Sequence, residues 1–152
     1  KAFDRVLHAE LLLKLAVMGI NEQIVKWITA YLRGRTQYVE VEHIKSKPLN
    51  VTPGVPQGSV LGPVLFLVSI NDIASKIDER ITVRLFVDDC LLYKEIDSPV
   101  DQELLSDTLR TVEEWCDKWK MKINENKTVL LRVTNKVNNI FYFNYTVNSL
   151  VL

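Results

Sequence analysis

The sequence is poor in cysteine, with Cys90 and Cys116 the only two in 152 residues. Two thiols so far apart fit no metal-ligand spacing and build no disulfide framework, so a reduced, intracellular setting is expected. Long apolar runs are also lacking. The longest, Val60 to Ile70, is broken at Gly62-Pro63 and falls short of the roughly 20 residues that cross a bilayer, which excludes a membrane-spanning class. There is no excess of charge: Lys plus Arg and Asp plus Glu stand at 19 each. That balance argues against a nucleic-acid binder, whose phosphate contacts usually call for a basic excess. Repeats and low-complexity tracts are absent. What is there is an ordinary globular composition, 47% hydrophobic and 25% charged, in a chain long enough for one compact domain. The chain opens Lys-Ala-Phe-Asp, without Met or leader and already in a patterned segment, so a piece of a longer protein is expected.

Apolar spacing and local punctuation predict the elements. Leu11, Leu12, Leu15 and Met18 recur at helical intervals, and Gly19 supplies the conformation that ends such a helix. Asn21 is placed to cap a second helix with Ile24, Trp27, Ile28, Tyr31 and Leu32 on one stripe, ended by Gly34. Tyr38, Val39, Val41 and Ile44 alternate with charged residues as an exposed strand does, with residues 48–51 as its hairpin partner. Residues 64–70 lead into a helix ending near Ile77. Ile81 to Val87 reads as a buried strand and Cys90 to Tyr93 as its partner. Ser98, Pro99 and Asp101 spell the start of a long helix that runs to about Lys120. It is expected to bury Leu104, Leu105, Leu109, Val112, Trp115 and Trp119. Short strands are expected at Val129 to Val133 and at Ile140 to Tyr145. The order is that of an α+β fold, helices packed on one face of an antiparallel sheet.

Two segments carry chemistry. In Leu85-Phe86-Val87-Asp88-Asp89-Cys90-Leu91-Leu92, adjacent carboxylates interrupt two apolar strands. Like charges there repel and lose hydration unless a cation compensates them, and a tight turn would hold them at the sheet edge for a divalent metal. Taken alone, the pair is also an ordinary polar hairpin turn. The second segment runs from Thr52 to Pro63, and six of its twelve residues are Gly or Pro. Restricted or unusual backbone angles therefore shape its path. Gly58 allows a backbone to approach a ligand, Gln57 both donates and accepts, and Ser59 is placed to cap the next helix. A plain loop before a helix is the alternative.

Together, Gly-Val-Pro-Gln-Gly-Ser-Val-Leu-Gly-Pro over residues 54–63 and Phe-Val-Asp-Asp over residues 86–89 resemble reverse transcriptases of non-long-terminal-repeat (LINE-like, jockey-like) retrotransposons. Lys-Ala-Phe-Asp-Arg-Val, with His8 soon after, resembles the tail of their first palm motif. Arg35 and Gln37 resemble the Arg-x-Gln before the family's hairpin, and Trp115, Asn124, Lys127 and Thr128 its later motif. The likeness runs through essentially the whole chain in the family's order. It implies a polymerase palm with partial fingers, truncated at both ends. Residues 20–55 would be a helix plus hairpin, and 121–152 C-terminal palm strands leading toward a thumb. It implies an RNA-directed DNA polymerase, a nucleotidyltransferase using two Mg2+ ions with Mn2+ as a substitute. The implied partners are RNA template, DNA primer and deoxynucleoside triphosphates, with no membrane, in the nucleus and cytoplasm.

Residue by residue, the resemblance implies that Asp88 and Asp89 ligate the metals and that Lys127 protonates the leaving pyrophosphate. Phe3 would pack under the incoming sugar, Pro56, Gln57 and Gly58 would lie near nucleotide and template, and Arg35 would touch template or primer phosphate. The plainer alternatives are a core Phe3, a solvated Lys127 and a surface ion pair at Arg35. The family's first motif reads Asp-Phe-Ser-Lys-Ala-Phe-Asp, and its leading Asp is the third metal-binding carboxylate. This sequence opens at Lys1, so the 152 residues alone are expected to be inactive, with a catalytically inactive remnant as the alternative reading. Asp4 is expected to cap the following helix rather than bind metal. Val87 stands where Ala is usual, and Ser149 where Gly often follows Asn. The basic grip is expected outside the chain, leaving local groups such as Arg33, Arg35, Lys45, Lys47, Lys118, Lys120 and Lys122. Another metal-dependent phosphotransferase or nuclease built on Asp88 and Asp89 leaves the Pro-Gln-Gly segment unexplained.

Overall fold

A computed structural model describes residues 2–135 and 143–152, which fall into two compact units, Lys1–Asn71 and Asp72–Leu152. The first unit opens with a 3-10 turn, Phe3–Arg5, and is built on three helices: α1 (His8–Val17), α2 (Glu22–Leu32) and α3 (Leu61–Ile70). Gly19, with φ +76, carries the chain away from α1, and the Asn21 side chain accepts the Gln23 N–H at 2.8 Å to start α2. The core is formed by Leu11 and Leu15 of α1, Ile28 and Leu32 of α2, and Leu65 and Phe66 of α3. Lys14 is buried among them; its ammonium donates to the Ser69 carbonyl at 2.5 Å. That carbonyl belongs to the last turn of α3, where carbonyls lack helical partners and attract cations. Ile24 and Trp27, expected on the buried stripe of α2, are exposed.

Between α2 and α3 runs a solvent-exposed hairpin of four short strands: β1 (Thr36–Gln37), β2 (Glu40–Val41), β3 (Ile44–Lys45) and β4 (Leu49–Asn50). β1 pairs with β4 and β2 with β3, both antiparallel. Between the two ladders Ser46 takes over. Its N–H donates to the Val39 carbonyl at 2.8 Å and its Oγ accepts the Val39 N–H at 3.0 Å. The tip is Glu42-His43, both at positive φ, +48 and +67, as tight hairpin turns require.

A 3-10 turn (Asn71–Lys76), whose first residue closes the first unit, leads in the second to β5 (Thr82–Phe86), β6 (Asp89–Tyr93) and the 20-residue α4 (Pro99–Lys118). The start of α4 is the predicted one. The Asp101 carboxylate accepts the Ser98 N–H at 2.9 Å and its hydroxyl at 2.8 Å, and pairs with Lys94 at 3.0 Å. Lys94 and Ser98 hold that carboxyl down at about 2. Val112 and Trp115 of α4 are buried, while Leu104, Leu105 and Leu109 are half-buried. The Trp115 indole N–H donates to Asp72 at 3.2 Å. A last hairpin, β7 (Thr146–Val147) with β8 (Leu150–Val151), lays Tyr145 and Val147 into the core.

The mixed α+β composition is observed, but the single antiparallel sheet is not: four separate two-stranded antiparallel ladders stand in its place among the described residues. Three of them join strands consecutive in sequence, the fourth pairs β1 with β4 around the β2–β3 ladder, and none is widened by a third strand. Residues 129–133 form no strand. Val129, Leu131 and Val133 are each more than 80% exposed, and β propensity without a ladder partner or a covered face makes no strand. Of the strand expected at Ile140 to Tyr145, residues 140–142 lie outside the described residues, and 143–145 are not in a ladder. Among the described residues no helix is long and apolar enough to cross a membrane.

The β7–β8 turn holds Asn148 and Ser149 at φ +48 and +68. A side chain in that region costs about 1–2 kcal/mol, part of which glycine returns as unfolded-state entropy. Ser149→Gly is therefore expected to stabilise the protein by about 0.5–1 kcal/mol in denaturant melts, and Ser149→Val to destabilise it.

Candidate functional site

In the first unit the Pro/Gly-rich segment is fastened to the chain's opening. The Gly54 N–H donates to the Val6 carbonyl at 2.8 Å and the Val55 N–H to the Phe3 carbonyl at 2.9 Å. His8 Nε2 lies 2.7 Å from the Gly54 carbonyl. Gly54 sits at φ +98, and a Cβ there would stand 3.0 Å from the Asp4 Cα. Glycine is thus required twice, by backbone angle and by space. Phe3, above this seam, stacks on Phe66 with ring centroids 4.3 Å apart and planes 9° apart. Its ring is held by a residue that is itself 1% exposed.

The next turn is pinned at both ends. The Ser59 hydroxyl donates to the Pro56 carbonyl at 2.6 Å and accepts the Gly62 N–H at 2.9 Å, capping the first turn of α3 as its sequence position suggests. A Cβ on Gly62 would run into the Pro56 carbonyl. Gln57 and Gly58 lie exposed between these pins, Gly58 at φ +75 with open space around it. Gln57 Nε2 donates to the Asp4 carboxylate at 2.7 Å, leaving the amide oxygen as its acceptor. This corrects the role expected of Asp4. It lies in the 3-10 turn before α1, too early to cap a helix that begins at His8 after Leu7, and it holds Gln57 instead. Phe3, Asp4, Pro56, Gln57 and Gly58 are therefore brought into one constellation. Arg35 belongs to the same unit, its guanidinium 5.3 Å from the centroid of the Tyr31 ring.

In the second unit, Phe86 pairs with Asp89 in the β5–β6 ladder. The two-residue turn is thus Val87-Asp88, rather than the two carboxylates, and Asp89 is the first residue of β6. Both carboxylates are exposed. The strands they join are not the buried pair expected; Phe86 is 78% and Leu91 58% exposed, because a two-stranded ladder covers neither of its own faces. Val87 takes φ +53, the first turn position that glycine favours in hairpins and that is an outlier for a β-branched residue. Backbone strain is stored one residue ahead of the carboxylate pair. Lys127 ends a 3-10 turn, Glu125–Lys127, closed by its own N–H and that of Thr128 on the Asn124 carbonyl, each at 3.0 Å. It is exposed. Burial pushes the Cys116 thiol up to about 11, which argues against a thiolate nucleophile there.

Two exposed carboxylates on a turn are hard oxygen donors of the kind that hold a magnesium-class cation, with water and phosphate oxygens completing the shell. Asp88 and Asp89 fit such a group as two of its ligands. Among the described residues no cluster of three His, Cys, Asp or Glu side chains is formed. Residues 1–147 match the family model described as Reverse transcriptase (RNA-dependent DNA polymerase). The chain belongs to the reverse transcriptase family. Among its relatives is an RNA-directed DNA polymerase from mobile element jockey of Drosophila melanogaster, 32% identical across 90% of this chain and 16% of that protein. A probable RNA-directed DNA polymerase from transposon BS of the same species is 33% identical across 85% of this chain and 15% of its own length. A retrovirus-related Pol polyprotein from type-1 retrotransposable element R2 of Popillia japonica is 30% identical, across 88% and 20%. The likeness to non-long-terminal-repeat elements therefore holds, and this reverse transcriptase chain spans 16% of the length of the jockey relative.

Sequence reasoning missed the partners that build the constellation: Asp4 for Gln57, His8 for Gly54 and Phe66 for Phe3. All are distant in sequence, and only the co-occurrence of the family's motifs hinted that the segments meet. Gly54→Ala combines a positive-φ penalty with a backbone clash. It is expected to cost at least about 2 kcal/mol in denaturant melts, whereas Gly58→Ala, strained but unobstructed, costs about half of that.

Proposed function

We propose that this chain is the palm region, with part of the fingers, of an RNA-directed DNA polymerase, and that it serves template-directed nucleotidyl transfer in a longer protein. The observation that carries the reading is the seam that joins the Lys-Ala-Phe-Asp segment to the Pro-Gln-Gly turn through Gln57 and Asp4 at 2.7 Å. A nuclease or unrelated phosphotransferase built on Asp88 and Asp89 alone has no use for that seam.

In the proposed reaction the 3′-hydroxyl oxygen of a DNA primer attacks the α-phosphorus of a deoxynucleoside triphosphate. One P–O bond forms, the bond to pyrophosphate breaks, and the hydroxyl proton passes to solvent water. Asp88 and Asp89, together with a third carboxylate of the longer protein, would hold two Mg2+ ions, for which Mn2+ could substitute. Held there, the ions would supply a lowered pKa at the attacking hydroxyl and charge stabilisation at the leaving group. Phe3, its plane fixed by Phe66, packs against the sugar. Gln57 is oriented by Asp4 and offers an acceptor to nucleotide or template, and the Pro56 and Gly58 backbone lets them come close. Arg35 takes a template or primer phosphate, and Lys127 delivers a proton to the departing pyrophosphate. RNA template and DNA primer are the macromolecular partners, met in the nucleus and cytoplasm.

Primer extension on an RNA template is the test, made in the protein extended along its own reading frame on both sides. Asp88→Asn is expected to lower extension by about 1,000-fold, equivalent to about 4 kcal/mol of barrier, with Mg2+ present. Full activity in that variant would refute the assignment. The 152 residues alone, whose carboxylate pair has no third partner among the described residues, are expected to extend no primer.

A further inference from the structure

Aromatic rings and cations alternate over the end of α2 and the hairpin that follows it: Tyr31, Arg33, Arg35, Tyr38, Lys45 and Lys47. Two of the rings are already paired with a charge. The Arg35 guanidinium lies 5.3 Å from the Tyr31 centroid and the Lys45 ammonium 5.0 Å from that of Tyr38. One turn before Tyr31, Trp27 stacks on it at 6.1 Å, planes 18° apart. Trp27 is 57% exposed and Tyr38 49%, unusual for residues that gain so much from burial. Every hairpin strand is exposed along its length. Four basic residues face two acidic ones, Glu40 and Glu42, over residues 33–50 of a chain with no net charge. Part of Lys45 is shared with Glu40, at 3.7 Å.

We propose that the end of α2 and this hairpin form a binding surface for single-stranded polynucleotide, bases stacking on Trp27, Tyr31 and Tyr38 while Arg33, Arg35, Lys45 and Lys47 meet phosphates. A flat ring with a cation beside it matches the repeat of a nucleic-acid strand, one π-face and one negative charge per residue. A duplex, with its bases stacked inside, offers only the charge. The hairpin also exposes Val39, Val41, Ile44 and Leu49, but Arg33 and Arg35 stand between Tyr31 and Tyr38 in sequence and two of the rings carry a cation, which suits a strand better than an apolar protein face. The surface deepens the polymerase reading through Arg35, and it rests on that reading only for which strand it holds. Binding itself needs neither nucleotide nor metal.

The test is fluorescence anisotropy of labelled 12-nucleotide oligo(U), oligo(dT) and a duplex of equal length, titrated with the 152-residue protein in EDTA. Chelation removes any contribution from Asp88 and Asp89, so an inactive polymerase with intact binding refutes only the catalytic reading. Both single strands are expected to bind more tightly than the duplex. Tyr31→Ala and Tyr38→Ala should each weaken binding by about five-fold or more, and the Tyr→Phe variants, which keep the ring, should bind as the parent does. Arg35→Ala should weaken binding and reduce the slope of log affinity against log salt by about 0.7. Alanine variants of unchanged circular dichroism that bind like the parent would overturn the proposal. So would equal affinity for the duplex, competition by inorganic polyphosphate as strong as by oligonucleotide, or self-association in sedimentation that Tyr38→Ala abolishes.

Discussion

The architecture of the first unit depends on a backbone-to-backbone seam at which one chain segment has no side chain. Gly54 and Val55 donate to Val6 and Phe3 at 2.8 and 2.9 Å. Gly54 and Val55 are buried, so these bonds satisfy groups that would otherwise cost a desolvation penalty of about 1–3 kcal/mol each. The contact demands glycine, since a methyl group would press on the Asp4 backbone. Once formed, the seam places an acidic side chain within reach of Gln57 and an aromatic ring over Phe66. The turn presenting Gln57 is then constrained by three independent fastenings: the seam below it, Asp4 at its side chain and Ser59 across its base. A group that must orient a ligand gains when its rotamer is set before the ligand arrives.

The second unit concentrates a different kind of tension. Adjacent carboxylates sit at the end of an exposed ladder, and the backbone just before them is held at φ +53 by a β-branched residue. Water screens the repulsion there far better than a protein interior does. The pair is therefore tolerable without a cation, yet open to one. Apolar side chains on the same strands are also exposed, Phe86 the most of them. The neutral overall charge covers local imbalance: two acids adjoin at positions 88 and 89, while four basic residues stand against two acidic ones over residues 33–50.

Local chemistry was legible in the sequence. Gly19, Asn21, Ser59 and the Ser98–Asp101 pair mark helix boundaries because each satisfies orphan backbone groups within a turn of its own position. The motifs that carry the family were legible too. What could not be read was whatever depends on distant neighbours. Burial of the β5–β6 strands was inferred from their apolar composition, but burial needs a covering layer, and composition does not say that one is present. Val129 to Val133 has strand-forming side chains and no ladder. Asp4 looked like a helix cap because its only visible context was the helix after it, while the partner that holds it lies 53 positions away. The turn between β5 and β6 shifted by one residue because register is set by pairing across the ladder, which the Asp-Asp dipeptide does not specify.

Amide hydrogen exchange at Gly54 and Val55 tests the seam most directly. Both lie in a loop between regular elements, where unfastened amides exchange close to the rate of an unstructured chain. If the bonds to Val6 and Phe3 hold, these two amides exchange slowly, at rates comparable to those in the middle of α1 and α3, while Gln57 and Gly58 exchange fast. Exchange of Gly54 and Val55 at the unstructured rate, with the helices protected, would contradict the account.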